Sequence, residues 1–265
     1  MNRNIKLIAT DIDGTLVKDS SPDIYPEMID QIKRLLAKNI LFTVASGRQY
    51  ESIRSMFHQV AENIIYIAEN GALIRRGEVN LSVIPMKYNY AIEIIKQLRE
   101  YKNTCDFIVS TPDGSYLETK NKEFIDLIQF SYRNKFFLVE DILNEKIEII
   151  KIAVYQKGSI RSLGEKIFVP QWQDKVKTCM AGEEWVDFMD ASVDKGNALK
   201  FLQKHYQISS EETMAFGDND NDIGMMKAAK YSYAVENALP GVKEAANYSC
   251  DSYSNKGVVK IIEQI

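Results

Sequence analysis

Residues 5–10 form an apolar run that stops at the acid Asp11, the pattern of a strand buried on both faces. Residues 27–38 then place Met28, Ile32, Leu35 and Leu36 at helical spacing behind Pro26, a residue suited to a first helical turn. Residues 40–45 repeat the buried-strand pattern, and Ser46-Gly47-Arg48 leads into a helical stretch ending near His58. A third apolar run, 64–68, is closed by Glu69-Asn70-Gly71. Strands alternating with helices predict an α/β fold, a doubly wound Rossmann-like core around a parallel sheet.

The rhythm changes after Val83. Residues 89–101 carry Ile92, Ile95 and Leu98 at core spacing for a helix. Strands at 107–110 and 115–118 flank Thr111-Pro112-Asp113-Gly114, a hairpin signal. Helices follow near 122–132 and 159–168, with strands near 149–155, 175–180 and 185–189. This is an α+β pattern with antiparallel elements. The first rhythm returns with a helix at 196–206, a strand at 213–217, a helix at 222–229, a strand at 231–235 and a last helix at 257–263. The expected organisation is a discontinuous α/β catalytic core, 1–82 and 190–265, with an α+β domain inserted at 83–189.

Charge and cysteine content narrow the chemistry. The formal net charge of −4 gives no basic surplus for nucleic acid, and Arg75-Arg76 is too small to make a patch. The three cysteines, Cys105, Cys179 and Cys250, form no CxxC and lie near no histidine in the sequence. They read as inert thiols in a reducing compartment. No run approaches the ~20 apolar residues of a membrane span. The expectation is a cytoplasmic protein with no membrane, nucleic-acid or obligate protein partner.

The acidic residues sit where ligands bind, at the carboxyl ends of predicted parallel strands. Asp11-Ile12-Asp13-Gly14-Thr15 follows the first strand. Two carboxylates so placed can divide labour, one attacking an electrophile and the other moving a proton. An acidic turn would show the same pair alone, but the longer motif after a buried strand is more specific. Gly217-Asp218-Asn219-Asp220-Asn221-Asp222 follows a later strand and crowds carboxylates that a hard cation would relieve. An EF-hand is a poor fit, since counting from Asp218 the positions that need Gly and Glu hold Ile223 and Ala229. Ser46 offers a hydroxyl near a helix N-terminus, and Lys195 a cation at the start of another. Each alone suits an N-cap or a surface lysine; together the pieces supply what phosphoryl transfer requires.

With these motifs in this order, the chain resembles the haloacid dehalogenase-like hydrolase superfamily, and within it the Cof-type phosphatases with a large inserted cap. The resemblance rests on Asp11–Leu16, Ser46-Gly47-Arg48, Glu69-Asn70-Gly71-Ala72, Lys195–Leu199, Gly217–Asp222 with Met225, and the late Asn237-Ala238. Two positions depart from the family's habit: Ser192 precedes Val193 where Gly is common, and Asp220 stands where Gly is common. The resemblance implies that Asp11 is the nucleophile and Asp13 the acid/base. It implies Mg²⁺ on the Asp11 carboxylate, the Asp13 carbonyl and Asp218, supported by Asp222. Thr15, Ser46, Gly47, Arg48, Asn70, Lys195 and Asn221 would bind phosphate or substrate, a small phosphate ester such as a sugar phosphate. The inserted domain would then be a substrate-selecting lid. Gln171, Trp172 and Gln173 either face substrate or pack locally. A phosphomutase with the same nucleophile and a non-enzymatic phospho-acceptor module are the alternatives.

Overall fold

The computed structural model describes residues 4–18 and 21–265. The strands, in chain order, begin with β1 (Leu7–Thr10), β2 (Leu41–Ala45), β3 (Ile65–Ala68), β4 (Leu73–Arg76) and β5 (Val79–Val83). Next come β6 (Asp106–Thr111), β7 (Gly114–Leu117), β8 (Phe136–Leu138), β9 (Lys151–Tyr155), β10 (Lys177–Met180) and β11 (Trp185–Met189). The last are β12 (Thr213–Gly217), β13 (Tyr231–Val235) and β14 (Tyr248–Cys250). The chain divides into two compact units, Met1–Ser82 with Asp194–Ile265, and Val83–Val193.

The first unit is built on a sheet of order β14-β13-β12-β1-β2-β3-β4-β5. From β14 to β3 the neighbours are parallel. Its central strands are rich in apolar residues because helices cover both faces of such a sheet, and every residue of β1, β3 and β12 is buried. The helix Pro26–Ala37 contributes Met28, Ile29, Ile32 and Leu35 to the core. From β1 the chain steps to β2 and β3 on one side, and from β12 to β13 and β14 on the other. The strand order therefore reverses between β1 and β12, which opens a crevice at their carboxyl ends.

Five elements were not legible in the hydrophobic pattern. β4 pairs antiparallel with β3 and β5 extends the edge. Arg75 and Arg76 fill the end of β4 and the whole of β5 is only partly buried or exposed, so no apolar run marks this hairpin. The helix Pro240–Ala245 and strands β8 and β14 are short, with one buried residue among the twelve they contain, Val242.

The second unit carries a sheet of order β10-β11-β9-β6-β7-β8, antiparallel except for β7 beside β8. One face packs Phe107, Val109, Ile152, Val154, Val186 and Phe188 against Ile94, Ile95 and Leu98 of the helix Tyr88–Glu100. The opposite face packs Ile108, Leu117 and Ala153 against Phe124 and Ile128. The helix expected at 159–168 runs in three pieces, Arg161–Leu163, a π-helical turn Gly164–Phe168, and Val169–Trp172. The wide turn falls just before Pro170, whose ring and missing N–H disfavour ordinary α-helical continuation. Trp172 belongs to this unit's core, and its indole donates to Gln97 Oε1 at 2.7 Å. The unit extends past 189 to Val193, whose carbonyl accepts from Lys177 Nζ at 2.7 Å.

Candidate active site

Asp11 follows β1, Ser46 follows β2, Glu69-Asn70-Gly71 follows β3 and Asp218 follows β12. These strands are adjacent and parallel, so their loops emerge at one edge. Lys195 reaches the same edge from the first turn of the helix Lys195–Tyr206. Asp194 caps that helix by accepting from Gly196 N and Asn197 N at 2.8 and 3.1 Å. Gly196 faces the backbone of Gly224 in the helix Ile223–Ala228 with no room for a Cβ. The close approach of these two helices brings Lys195 beside Asp222.

The result is a buried charge cluster. Lys195 Nζ donates to Asp11 Oδ1 at 2.6 Å and to Asp222 Oδ1 at 2.8 Å, and Lys195, Asp11 and Asp222 are 1, 5 and 0 % exposed. Asp222 Oδ2 accepts from the backbone N–H groups of Asp218 and Asn219 at 3.0 and 3.2 Å, which folds the acidic loop over its own end. Burial raises the Asp11 carboxyl well above its ordinary value; Lys195 opposes that, and Asp222 and Asp218 add to it. Burial acts to lower the Lys195 ammonium, but Asp11 and Asp222 outweigh it, so its pKa is raised and the side chain stays cationic.

Three carboxylates thus gather beside Lys195, which bonds two of them. Asp11, Asp218 and Asp222 each offer an oxygen within 4.8 Å of the others. Asp11 Oδ2 is buried and, among the described residues, accepts no hydrogen bond. An all-oxygen set with surplus negative charge and an orphaned acceptor fits a hard divalent cation better than a soft one. Both oxygens of Asp222 are already engaged, so Asp222 holds the cluster's framework while Asp11 and Asp218 are the better direct ligands.

The remaining expected residues fall into two connected groups. Arg48 grips Asp13 through both carboxylate oxygens, Nε to Oδ2 at 2.8 Å and Nη2 to Oδ1 at 2.5 Å, and also donates to the Ser21 carbonyl at 3.0 Å. Asn221 Nδ2 donates to Asn70 Oδ1 at 3.0 Å, while Asn221 Oδ1 is buried without a donor among the described residues. Asn70 also donates its backbone N–H to the Ser46 carbonyl at 2.9 Å, and its side-chain amide lies against Gly47. Ser46 Oγ accepts from Arg48 N at 3.1 Å. Thr15 is fully buried and its hydroxyl donates to Asp218 Oδ1 at 2.6 Å, which makes it an orienting partner of that carboxylate.

The sequence pattern that defines haloacid dehalogenase-like hydrolases matches residues 8–262. The chain belongs to the haloacid dehalogenase-like hydrolases. It is a Cof-type phosphatase of that family, and its relatives are named as phosphatases. It is 27 % identical over 262 residues to 5-amino-6-(5-phospho-D-ribitylamino)uracil phosphatase YbjI of Escherichia coli, covering 99 % of this chain and 96 % of the relative. It is 25 % identical over 289 residues to the Bacillus subtilis phosphatase YwtE, which carries the same substrate name, with 98 % of each chain covered. A solved structure from Eubacterium rectale shares 36 % identity and a TM-score of 0.88, over 98 % of this chain and 99 % of that one.

Three relationships within this hydrolase were not read from the sequence. The Asp13–Arg48 pair joins motifs 35 positions apart, and neither residue's type names the other as partner. Thr15 bonds Asp218 across 203 positions. Asn237, noted only as a late motif residue, donates its side-chain amide to the Gly14 carbonyl at 2.7 Å. Its position just after β13, which neighbours β12, was the available signal.

Proposed function

We propose that the chain hydrolyses a small phosphorylated metabolite with Mg²⁺ bound, by passing the phosphoryl group to Asp11 and then to water, and that it works in the cytoplasm. The observation that carries this reading is the Asp11 carboxylate, buried with one oxygen on Lys195 and the other without a donor among the described residues. A carboxylate held so is oriented for attack and is relieved by a cation. Bound Mg²⁺ would supply charge compensation between the anionic ester and this carboxylate cluster.

In the first step an Asp11 oxygen attacks phosphorus, and the bond from phosphorus to the ester oxygen breaks. The departing oxygen takes a proton from Asp13. In the second step Asp13 accepts a proton from water as that water attacks the aspartyl phosphate, which returns the Asp11 carboxylate and releases inorganic phosphate. Lys195 remains cationic throughout and offsets charge that develops on the transferring group. The Ser46 hydroxyl accepts from Arg48 N and keeps its own proton to donate to a phosphate oxygen. Arg48 fixes the resting place of Asp13, so turnover exchanges one of its two bonds for the ester oxygen.

The second unit is assigned the choice of ester. The first unit's motifs supply the same chemistry to any phosphate that reaches Asp11, so discrimination requires contacts to the leaving group. Sugar phosphates lead the candidate class, and 5-amino-6-(5-phospho-D-ribitylamino)uracil joins the panel because two relatives are named for it.

The test is release of inorganic phosphate from that panel by metal-stripped protein with Mg²⁺, Ca²⁺ or neither, beside the Asp11→Asn variant. Hydrolysis that needs Mg²⁺, runs poorly with Ca²⁺ and disappears in folded Asp11→Asn supports the reading. Full activity without metal, or in Asp11→Asn, overturns it. Isomerised ester in place of free phosphate would identify a phosphomutase.

A further inference from the structure

Gly14 joins two peptide planes in the middle of the first acidic loop, at φ +81°. Its hydrogen is enforced by Asp218: a Cβ there would lie 2.8 Å from Asp218 Cγ and closer still to Oδ2. The loop therefore requires the most permissive residue at the point where rigidity matters, since an unrestrained glycine samples many conformations. Each flanking peptide is pinned from outside. The Gly14 N–H donates to the Val17 carbonyl at 2.8 Å, which also sets the direction of the Asp13 carbonyl in the same plane. The Gly14 carbonyl accepts from Asn237 Nδ2 at 2.7 Å.

The same turn braces the second acidic loop. Leu239 N donates to the Asp218 carbonyl at 2.8 Å, and Ala238 N closes the turn on the Val235 carbonyl at 2.9 Å. One short segment after β13 thus holds the Gly14 loop by a side chain and the Asp218 loop by a backbone amide. Thr15 Oγ1 on Asp218 Oδ1, at 2.6 Å, ties the two loops directly.

We propose that Asn237 is a positioning residue: it immobilises Gly14, and so fixes the Asp11–Thr15 loop in register with Asp218 for cation binding. The cation part of this inference rests on the metal-dependent reading above; the restraint on Gly14 does not. Asn237 donates to a backbone carbonyl, so this effect passes through the backbone of the loop. Its neighbour Glu236 is exposed on the same turn and serves as the control.

The experiment compares wild type, Asn237→Ala, Asn237→Asp and Glu236→Ala as full-length chains. Asn237→Asp keeps the shape and loses the donor, so it also serves if Asn237→Ala fails to fold. Hydrogen exchange in the peptide spanning 11–17 is followed in metal-free protein, and the Mg²⁺ midpoint is read from the metal-induced rise in melting temperature. Both Asn237 variants are expected to exchange faster in that peptide and to need about 2- to 10-fold more Mg²⁺, the range one lost hydrogen bond spans. Glu236→Ala should match wild type in both. Unchanged exchange at 11–17 in the Asn237 variants overturns the restraint. A Mg²⁺ midpoint that stays fixed while exchange rises overturns the link to cation binding. If wild type shows no Mg²⁺ response at all, the metal-dependent reading fails, and the exchange data still judge Asn237.

Discussion

Gly14 and Asp218 stand so close that the first cannot carry a side chain while the second keeps its place, although 204 positions separate them. A methyl group at Gly14 must displace the carboxylate that Thr15 orients, and must also hold a left-handed φ of +81°. Gly14→Ala is expected to cost about 1–3 kcal/mol of stability from backbone strain. It should lower kcat by about 10²-fold, as misplacement on the ångström scale does. Thermal melts and steady-state kinetics check both. Wild-type values in each would show that the two loops separate freely.

Lys195 answers two buried carboxylates at once, so its removal has a structural and a catalytic consequence. Lys195→Ala leaves Asp11 and Asp222 buried without their shared cation, a loss of about 3–5 kcal/mol for a broken buried pair. The same change should reduce kcat by about 10²–10³-fold, because preorganised charge acts on the transition state. Lys195→Arg should not restore the rate, since a planar fork cannot occupy the site of a compact ammonium. Urea unfolding and single-turnover kinetics test these together. Normal kinetics in both variants would place Lys195 outside the reaction.

The strongly periodic parts of the fold were legible, and the reason is burial. β1, β3, β12 and β13 carry continuous apolar runs because helices cover both faces of a parallel sheet. Knowing where those strands end gives the site's edge, and with it Asp11, Ser46, Asn70 and Asp218. The β4–β5 hairpin escaped because its residues are half-exposed and its alternation short. Pairings between side chains escaped for a different reason. Sequence spacing specifies neighbours within one element, whereas Asp13–Arg48, Thr15–Asp218 and Asn70–Asn221 join separate elements through the order of strands. The resemblance implied Thr15 as a phosphate-binding residue; its hydroxyl donates to Asp218.

The cysteines are expected to be poor nucleophiles and to make the fold sensitive to alkali. Burial pushes Cys105 up to about 11 and Cys179 and Cys250 up to about 12, from an ordinary 9.0, with Asp106, Asp187 and Asp251 adding to the effect in turn. Burial likewise raises the Tyr25 and Tyr66 phenols. Folding therefore holds these protons more tightly than the unfolded chain does. The stabilisation is complete below the unfolded thiol value near 9 and is lost as pH rises toward 11–12. The urea midpoint should fall steadily above about pH 9. Alkylation at about pH 8 should be slow in native protein and fast after unfolding. Rapid native labelling of all three thiols would contradict the burial argument.

The proposed role of the second unit leads to a test within its own sheet. The register places Ser110 and Lys151 opposite each other, and Asp187 beside Ala153 on the same face. Lys151 Nζ and Asp187 Oδ2 are 3.6 Å apart, and both side chains are buried. Elsewhere on this face Ile108, Ala153 and Leu117 form an ordinary apolar cluster, beside which the Lys151 ammonium, the Asp187 carboxylate and the hydroxyls of Ser110 and Ser115 are buried polar groups. Hydroxyl-rich leaving groups are recognised by groups of this kind, which donate and accept hydrogen bonds at fixed positions. Removing one partner would strand a buried charge and destabilise the unit by about 3–5 kcal/mol, which would obscure any effect on selection. Replacing both, Lys151→Met with Asp187→Leu, removes the charges together and is often neutral for stability. That double variant should keep its melting temperature and its kcat on a small generic phosphate ester, because Asp11 and Lys195 are untouched. If these groups select the polyol, its kcat/KM values across sugar phosphates should converge. The decisive quantity is the spread of kcat/KM over one panel in wild type and double variant. An unchanged spread and ranking in a folded variant would move selection to the first unit, where Arg48 and Asn70 are the next residues to substitute.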